Sequence, residues 1–191
     1  MGRTAGCQDA GALGRYRMDL QYDGTDFYGW ARQPGLRTIE GCLLGAFVKM
    51  MGFEPTLRVA GRTDAGVHAR RQVVSLDLPA SGPRGALDTR RLVGSLNALT
   101  PPGLTVASLT PAAPGFDARR DAVGRGYRYL LELGSVGSPF LTRYAWHVGA
   151  VLDVEAMEAA GIAPLARHRR ALVPASHGAD PCRHHGRHRA R

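Results

Sequence analysis

The sequence has almost no lysine: Lys49 is the only one, so arginine carries nearly every positive charge. Arginine suits bidentate contacts to phosphate and carboxylate, but a bias this uniform reads first as a mark of GC-rich codons. Cysteine is also scarce. Cys7, Cys42 and Cys182 are odd in number and lack paired spacing, which argues against a disulfide framework and for a reducing compartment, the cytoplasm. No apolar run reaches the roughly 18 residues that span a bilayer. The opening stretch MGRTAGCQDAGALGRYR lacks the apolar centre of a secretory signal, and its Met-Gly start has no other support for myristoylation. Acidic residues are outnumbered, 16 against 25 basic ones, for a net charge of +9. Most of that excess is local: Gly161 to Arg191 holds seven arginines and one acid, Asp180. The preceding body is only mildly basic, so the charge sum alone does not establish a nucleic-acid partner.

What is present suffices for a core. At 191 residues and 44% hydrophobic content, the chain fits one ordinary domain or two small ones sharing a sheet. Tyr16, Met18, Leu20 and Tyr22 alternate with polar residues, as in a half-buried strand that ends at the turn Asp23-Gly24. An aromatic-rich loop, TDFYGWARQPGLR, comes next. Thr38 then caps a predicted helix through about Met51, with Ile39, Leu43, Phe47 and Met50 along one face and Gly52 as its stop. Strands are predicted over Thr56–Ala60, Gln72–Leu78 and Leu104–Leu109, with a helix capped by Asp88 before the last of these.

This order, β-α-β-β-α-β, is the split βαβ pattern. It predicts an α+β protein, a ferredoxin-like antiparallel sheet with both helices on one face and the other face open. Tyr127–Leu133 and RYAWHVG are predicted strands of a second, incomplete α+β domain, and Asp153 begins a further helix. The domain reading is a disordered start over 1–15, a first domain over 16–110, the beginning of a second over 111–160, and a basic tail over 161–191. The tail has no aromatic residue, no sustained period and five of the seven histidines. Cys182, His184, His185 and His188 match no standard zinc spacing. An RNA-binding basic tail is one reading of this segment. GC-rich DNA translated out of frame is the favoured one.

The chemistry concentrates in RVAGRTDAGVHARRQ, Arg58 to Gln72. Gly61 and Gly66 permit a sharp turn with Asp64 at its tip. Asp64 is either an Asx-turn residue that satisfies local amides or a carboxylate presented to a ligand, and the spacing leaves both open. A phosphate-binding nest is disfavoured, because a carboxylate at the tip repels an anion. Arg58, Arg62, Arg70 and Arg71 would keep Asp64 ionised beside a polyanion. His68 is either a group titrating near neutrality or a hydrogen-bonding turn residue. The aromatics of YDGTDFYGW are core plugs, lids or base-stacking platforms. Tyr127 and Tyr129 are expected on one strand face with Arg128 opposite.

Taken together, YDGTDFYGWARQP, RTIEGCL, AGRTDAGVHA, NALTP and FDARRDAVGRGYRYLL resemble, in order and spacing, the TruA-type tRNA pseudouridine synthases. The resemblance runs from about Tyr16 to Glu158. It implies a cofactor-free, metal-free isomerase acting on uridines of the tRNA anticodon arm, at tRNA positions 38, 39 and 40, as a cytoplasmic homodimer with one cleft per subunit. It makes Asp64 the catalytic aspartate, Arg62 the arginine beside the target nucleotide and Tyr127 the aromatic stacked on the uracil. Arg58, His68 and Arg119 become further RNA-contacting candidates. Family members continue beyond this chain, and their later segments have no counterpart in ARHRRALVPASHG or in the residues after it. The expectation is therefore weak or absent activity, with a noncatalytic RNA-binding fragment as the alternative.

Overall fold

A computed structural model describes residues 12–82 and 85–159. The expected tail and its cysteine and histidine cluster, and most of the N-terminal segment, lie outside the described residues. The chain divides into two compact units between Arg125 and Gly126. Residues 111–125, expected from the sequence to open a second domain, therefore go with the first.

In the first unit, β1 (Leu13–Tyr22) is followed by a short 3-10 turn at Gly24–Asp26, α1 (Ile39–Met51), β2 (Arg58–Val59) and β3 (Ala69–Pro79). A small hairpin of β4 (Ser81–Gly82) and β5 (Gly85–Ala86) precedes α2 (Thr89–Leu99) and β6 (Leu104–Pro111). The sheet order is β2-β3-β1-β6, with every neighbouring pair antiparallel. This is the predicted split βαβ arrangement, with the hairpin as an addition. Strand β1 starts at Leu13, three residues before the apolar alternation begins, because its backbone continues to pair with β3 out to Leu13–Pro79.

The alternation in β1 decides which face is buried. Tyr16, Met18, Leu20 and Tyr22 point into one cluster with Leu43 and Phe47 of α1, Leu76 and Leu78 of β3, Leu92 and Leu96 of α2, and Val106 of β6. Both helices thus cover the same sheet face. Their ends are built as the sequence requires. The Thr38 hydroxyl accepts from Gly41 N at 3.2 Å, and the Asp88 carboxylate accepts from Arg91 N at 3.0 Å, each satisfying an otherwise unpaired donor. Gly52 closes α1 at φ 78°, where a side chain would be strained.

The opposite face is partly covered. Ser75 of β3 is fully buried there, and its hydroxyl accepts a hydrogen bond from Ala118 N at 3.1 Å. The register of β1 against β3 slips between Leu20 and Tyr22, next to the loop that joins β2 to β3. Such irregularities re-aim a side chain at a sheet end.

In the second unit, β7 (Leu131–Leu133) pairs with β8 (Trp146–Val148), and α3 (Val154–Ala159) comes after them. The pair is parallel, joined by turns through Pro139–Tyr144. Residues 127–130 are not in a strand, which corrects the expectation of a strand face carrying Tyr127 and Tyr129. No helix among the described residues is long and apolar enough to cross a membrane.

One polar contact fixes α2 to the sheet edge. The Asn97 side chain donates to Val106 O at 2.9 Å and accepts from Val106 N at 2.7 Å, replacing a missing strand neighbour of β6. Substituting Asn97→Ala is expected to lower unfolding free energy by roughly 1–2 kcal/mol, read from urea denaturation, with the helical content of the native state unchanged.

Candidate functional site

The loop between β2 and β3 is held at its main chain and through the residues beside Asp64. Trp30 N donates to Thr63 O at 2.9 Å, and Gly66 N donates to Phe27 O at 3.2 Å. These bonds lock the loop against the segment that comes after β1. Two glycines make that approach feasible. A Cβ on Gly24 would collide with the Val67 carbonyl, and one on Gly29 would lie 2.7 Å from Thr63 O. Gly29 also holds φ 85°, a conformation costly for residues with side chains.

Beneath the loop lies a buried polar network. The Gln72 amide nitrogen donates to Gly61 O at 2.8 Å and to the Tyr22 hydroxyl at 3.1 Å. Tyr22 Oη is in turn 2.9 Å from Thr63 Oγ1. Burial pushes the Tyr22 phenol above its ordinary pKa, against the opposing pull of its Thr63 and Gln72 hydrogen bonds, so it stays protonated at neutral pH. Arg125 adds a donor to Ala60 O at 2.7 Å from outside.

Asp64, by contrast, is exposed, and its carboxylate makes no hydrogen bond or ion pair among the described residues. The Asx-turn reading requires that carboxylate to accept a local amide. The turn bond is instead made by the Asp64 carbonyl, which accepts from Val67 N at 3.3 Å. Arg62 is likewise exposed and forms no ion pair among the described residues. Both line a cleft of about 340 Å³ together with Thr63, Tyr28, Gln33 and Leu36. Of the four aromatics in YDGTDFYGW, Tyr22, Phe27 and Trp30 are buried in the core; only Tyr28 is presented, 57% exposed.

The other candidates stand elsewhere. Arg58 donates to the Asp117 carboxylate at 3.0 Å, and Arg119 contributes its backbone N–H to the same carboxylate at 2.9 Å. His68 Nδ1 accepts from Gly24 N at 3.1 Å and lies 3.0 Å from an Asp23 carboxylate oxygen. A bare Nδ1 satisfies the first contact and an Nδ1 carrying hydrogen the second, so the tautomer decides between them. None of these three lines the Asp64 cleft. Tyr127, in the second unit, is 74% exposed. Sequence reasoning missed Gln72, Thr63, Gly29 and Arg125, because each acts through contacts made distant in the chain or through main-chain atoms. No group of histidine, cysteine or acidic residues among those described could hold a metal ion.

This α+β unit, whose cleft presents a carboxylate and a guanidinium with no partner among the described residues, has relatives among known proteins. No family model matches the chain. The chain is 44% identical over 160 residues to the tRNA pseudouridine synthase A of Frankia casuarinae, covering 82% of this chain and 56% of that protein. The protein of that name from Neisseria gonorrhoeae is 44% identical over 147 residues, covering 76% of this chain and 54% of its own length. That of Geobacter sulfurreducens is 40% identical over 144 residues, covering 75% and 57%. The chain belongs to the TruA-type tRNA pseudouridine synthase family and spans about half the length of the curated relatives it matches.

Two outcomes test the site's construction. Gly29→Ala is expected to destabilise the chain by more than about 1 kcal/mol, through left-handed strain and backbone contact, measured by thermal melting. The Asp117 carboxyl is held below its ordinary pKa by its hydrogen bond from Arg58, outweighing burial and helped by the Arg119 and Arg120 amides. A depressed carboxyl stabilises the fold above the unfolded-state pKa, and that contribution is lost as pH falls through the native one. The melting-temperature gap between the native chain and Asp117→Asn should therefore be full at pH 7 and should close below the ordinary carboxylate range.

Proposed function

We propose that the chain carries the uridine-isomerising site of a tRNA pseudouridine synthase, with Asp64 as the catalytic carboxylate, and that its substrate is the tRNA anticodon arm. The observation that carries this reading is Asp64 itself. Its backbone is fixed from two sides while its carboxylate has no partner among the described residues, in a cleft it shares with Arg62. A residue serving the turn would use its side chain there. The curated relatives are named for tRNA pseudouridine synthesis.

The reaction breaks the N1–C1′ bond, with the electron pair leaving on uracil N1, and forms a C5–C1′ bond after the base turns over. The proton shed by C5 is balanced by one taken up at N1, so no electron is gained or lost. A carboxylate beside the ribose either bonds to C1′ or offsets the positive charge that develops there. A glycal route would instead have it assist loss of the C2′ proton. The target base must first leave its stack, at a few kcal/mol. Arg62 then faces the displaced nucleotide. Tyr127 supplies a face on which uracil stacks in either orientation, because stacking tolerates rotation that directional hydrogen bonds do not. Arg58, His68 and Arg119 support this work differently: Arg58 and Arg119 by ordering the segment around Asp117, and His68 by bracing the loop against Asp23-Gly24.

The test uses the whole chain and an anticodon stem-loop RNA labelled with tritium at uracil C5. Release of tritium to solvent is expected, at the weak rate anticipated from the sequence, and Asp64→Asn should reduce that rate by about a thousandfold or more, with melting temperature unchanged. RNA binding without any tritium release from the native chain would favour the noncatalytic reading.

A further inference from the structure

The buried network beneath the Asp64 loop has a direction, and its direction ends in the cleft. Gly61 O can only accept, so the atom of Gln72 that faces it at 2.8 Å must be the amide nitrogen. That nitrogen has two hydrogens. One goes to Gly61 O, and the other to the Tyr22 oxygen at 3.1 Å. Tyr22 is buried, with 5% of its surface exposed, and its own O–H needs an acceptor. Thr63 Oγ1, at 2.9 Å, is the acceptor within reach that remains. The Thr63 hydroxyl has one hydrogen and, receiving from Tyr22, does not direct it back. Thr63 lines the same cleft as Arg62 and Asp64.

We propose that Thr63 is a substrate-binding residue whose hydroxyl, polarised by the chain Gln72 to Tyr22 to Thr63, donates a hydrogen bond to an acceptor oxygen of the nucleotide held beside Asp64. This rests on the reading of the cleft as a uridine site. The acceptor class comes from the network: Thr63 receives from Tyr22 and keeps its one hydrogen to donate, so the cleft takes a carbonyl, ribose or phosphate oxygen there and gains no such bond from a methyl group. Hydroxyl chains of this kind also strengthen one another, each donation making the next oxygen's proton a better donor. Tyr22 is then a positioning residue. It touches no substrate, but it decides which way Thr63 points.

The experiment compares the native chain with Thr63→Val, Thr63→Ser and Tyr22→Phe, on the C5-tritiated stem-loop RNA. Binding is measured by equilibrium titration and conversion by tritium release. Thr63→Val keeps the shape and removes the donor. It should weaken binding or kcat/KM by about tenfold, as expected for a neutral hydrogen bond of roughly 1.4 kcal/mol. Thr63→Ser restores the hydroxyl and should recover most of that loss, which a packing role for the threonine methyl would not permit. Tyr22→Phe frees the Thr63 hydroxyl to turn toward the protein and should give a smaller, two- to fivefold loss with Thr63 intact. In the Tyr22→Phe background, adding Thr63→Val should cost less than it does in the native chain. Thermal melting of each variant identifies any that fails to fold, and Thr63→Ala takes the place of Thr63→Val as the donor-free variant if the latter does. A native chain that converts RNA alongside an equally active Thr63→Val overturns the proposal and leaves the function standing. So does a Ser variant no better than Val. A native chain that neither binds nor converts the RNA overturns both.

Discussion

Main-chain contact between two loops is the constraint on which the rest of the first unit depends. The segment after β1 and the loop between β2 and β3 approach so closely that side chains at Gly24 and Gly29 would not fit between them. Four backbone groups exchange hydrogen bonds across that seam, Trp30 with Thr63 and Gly66 with Phe27. Everything presented by the second loop takes its position from this seam, because a free loop of this length would sample many conformations at an entropic cost of about 1–2 kcal/mol per residue fixed. The large buried aromatics Trp30 and Phe27 belong to the same arrangement. They anchor the first loop in the core, and the first loop anchors the second.

Electrostatics completes what the seam begins. The charged side chains of the unit divide into those engaged in structure and those left over. Arg15 faces Asp77 at 3.0 Å, Arg32 pairs with Glu54, and Arg58 with Asp117. Arg62 and Asp64 enter no such pair among the described residues and are not neutralised by each other. Holding two opposite charges in one cleft without letting them meet requires a rigid backbone, since flexible side chains at that spacing would otherwise close on one another. Structure and presentation thus trade off within a few residues of chain.

Much of the fold was legible because it rests on local signals. The period-two run Tyr16–Tyr22, the Thr38 cap with Gly52 as stop, and the Asp88 cap each mark an element end by a mechanism confined to a few residues. The loop glycines and Asp64 were equally visible. What could not be read was cooperative. Nothing in the sequence of Gln72 says that its amide will bridge Gly61 and Tyr22, since that depends on the β1–β3 register and its slip after Leu20. The partnership of Arg58 with Asp117 is similar: the two are far apart in sequence, and only the packing of the Asp117–Ala118 turn on β3 brings them together. The Tyr127–Leu133 run had the composition of a strand, but only Leu131–Leu133 pairs, and the chain before it adopts no regular element.

The register slip at the end of β1 has a wider meaning. A strand that ran in perfect register would place successive residues on strictly opposite faces, and the alternation would commit each side chain to core or solvent. Between the Leu20–Gln72 and Tyr22–Ala69 pairs, β3 sets Arg70 and Arg71 against the single residue Gln21, so the extra position lies on β3. Tyr22 keeps the alternation and pairs with Ala69 just beyond the slip, with its ring in the hydrophobic cluster and its hydroxyl among polar partners. The end of β1 is thereby where the apolar interior meets the polar support of the cleft, one residue carrying both.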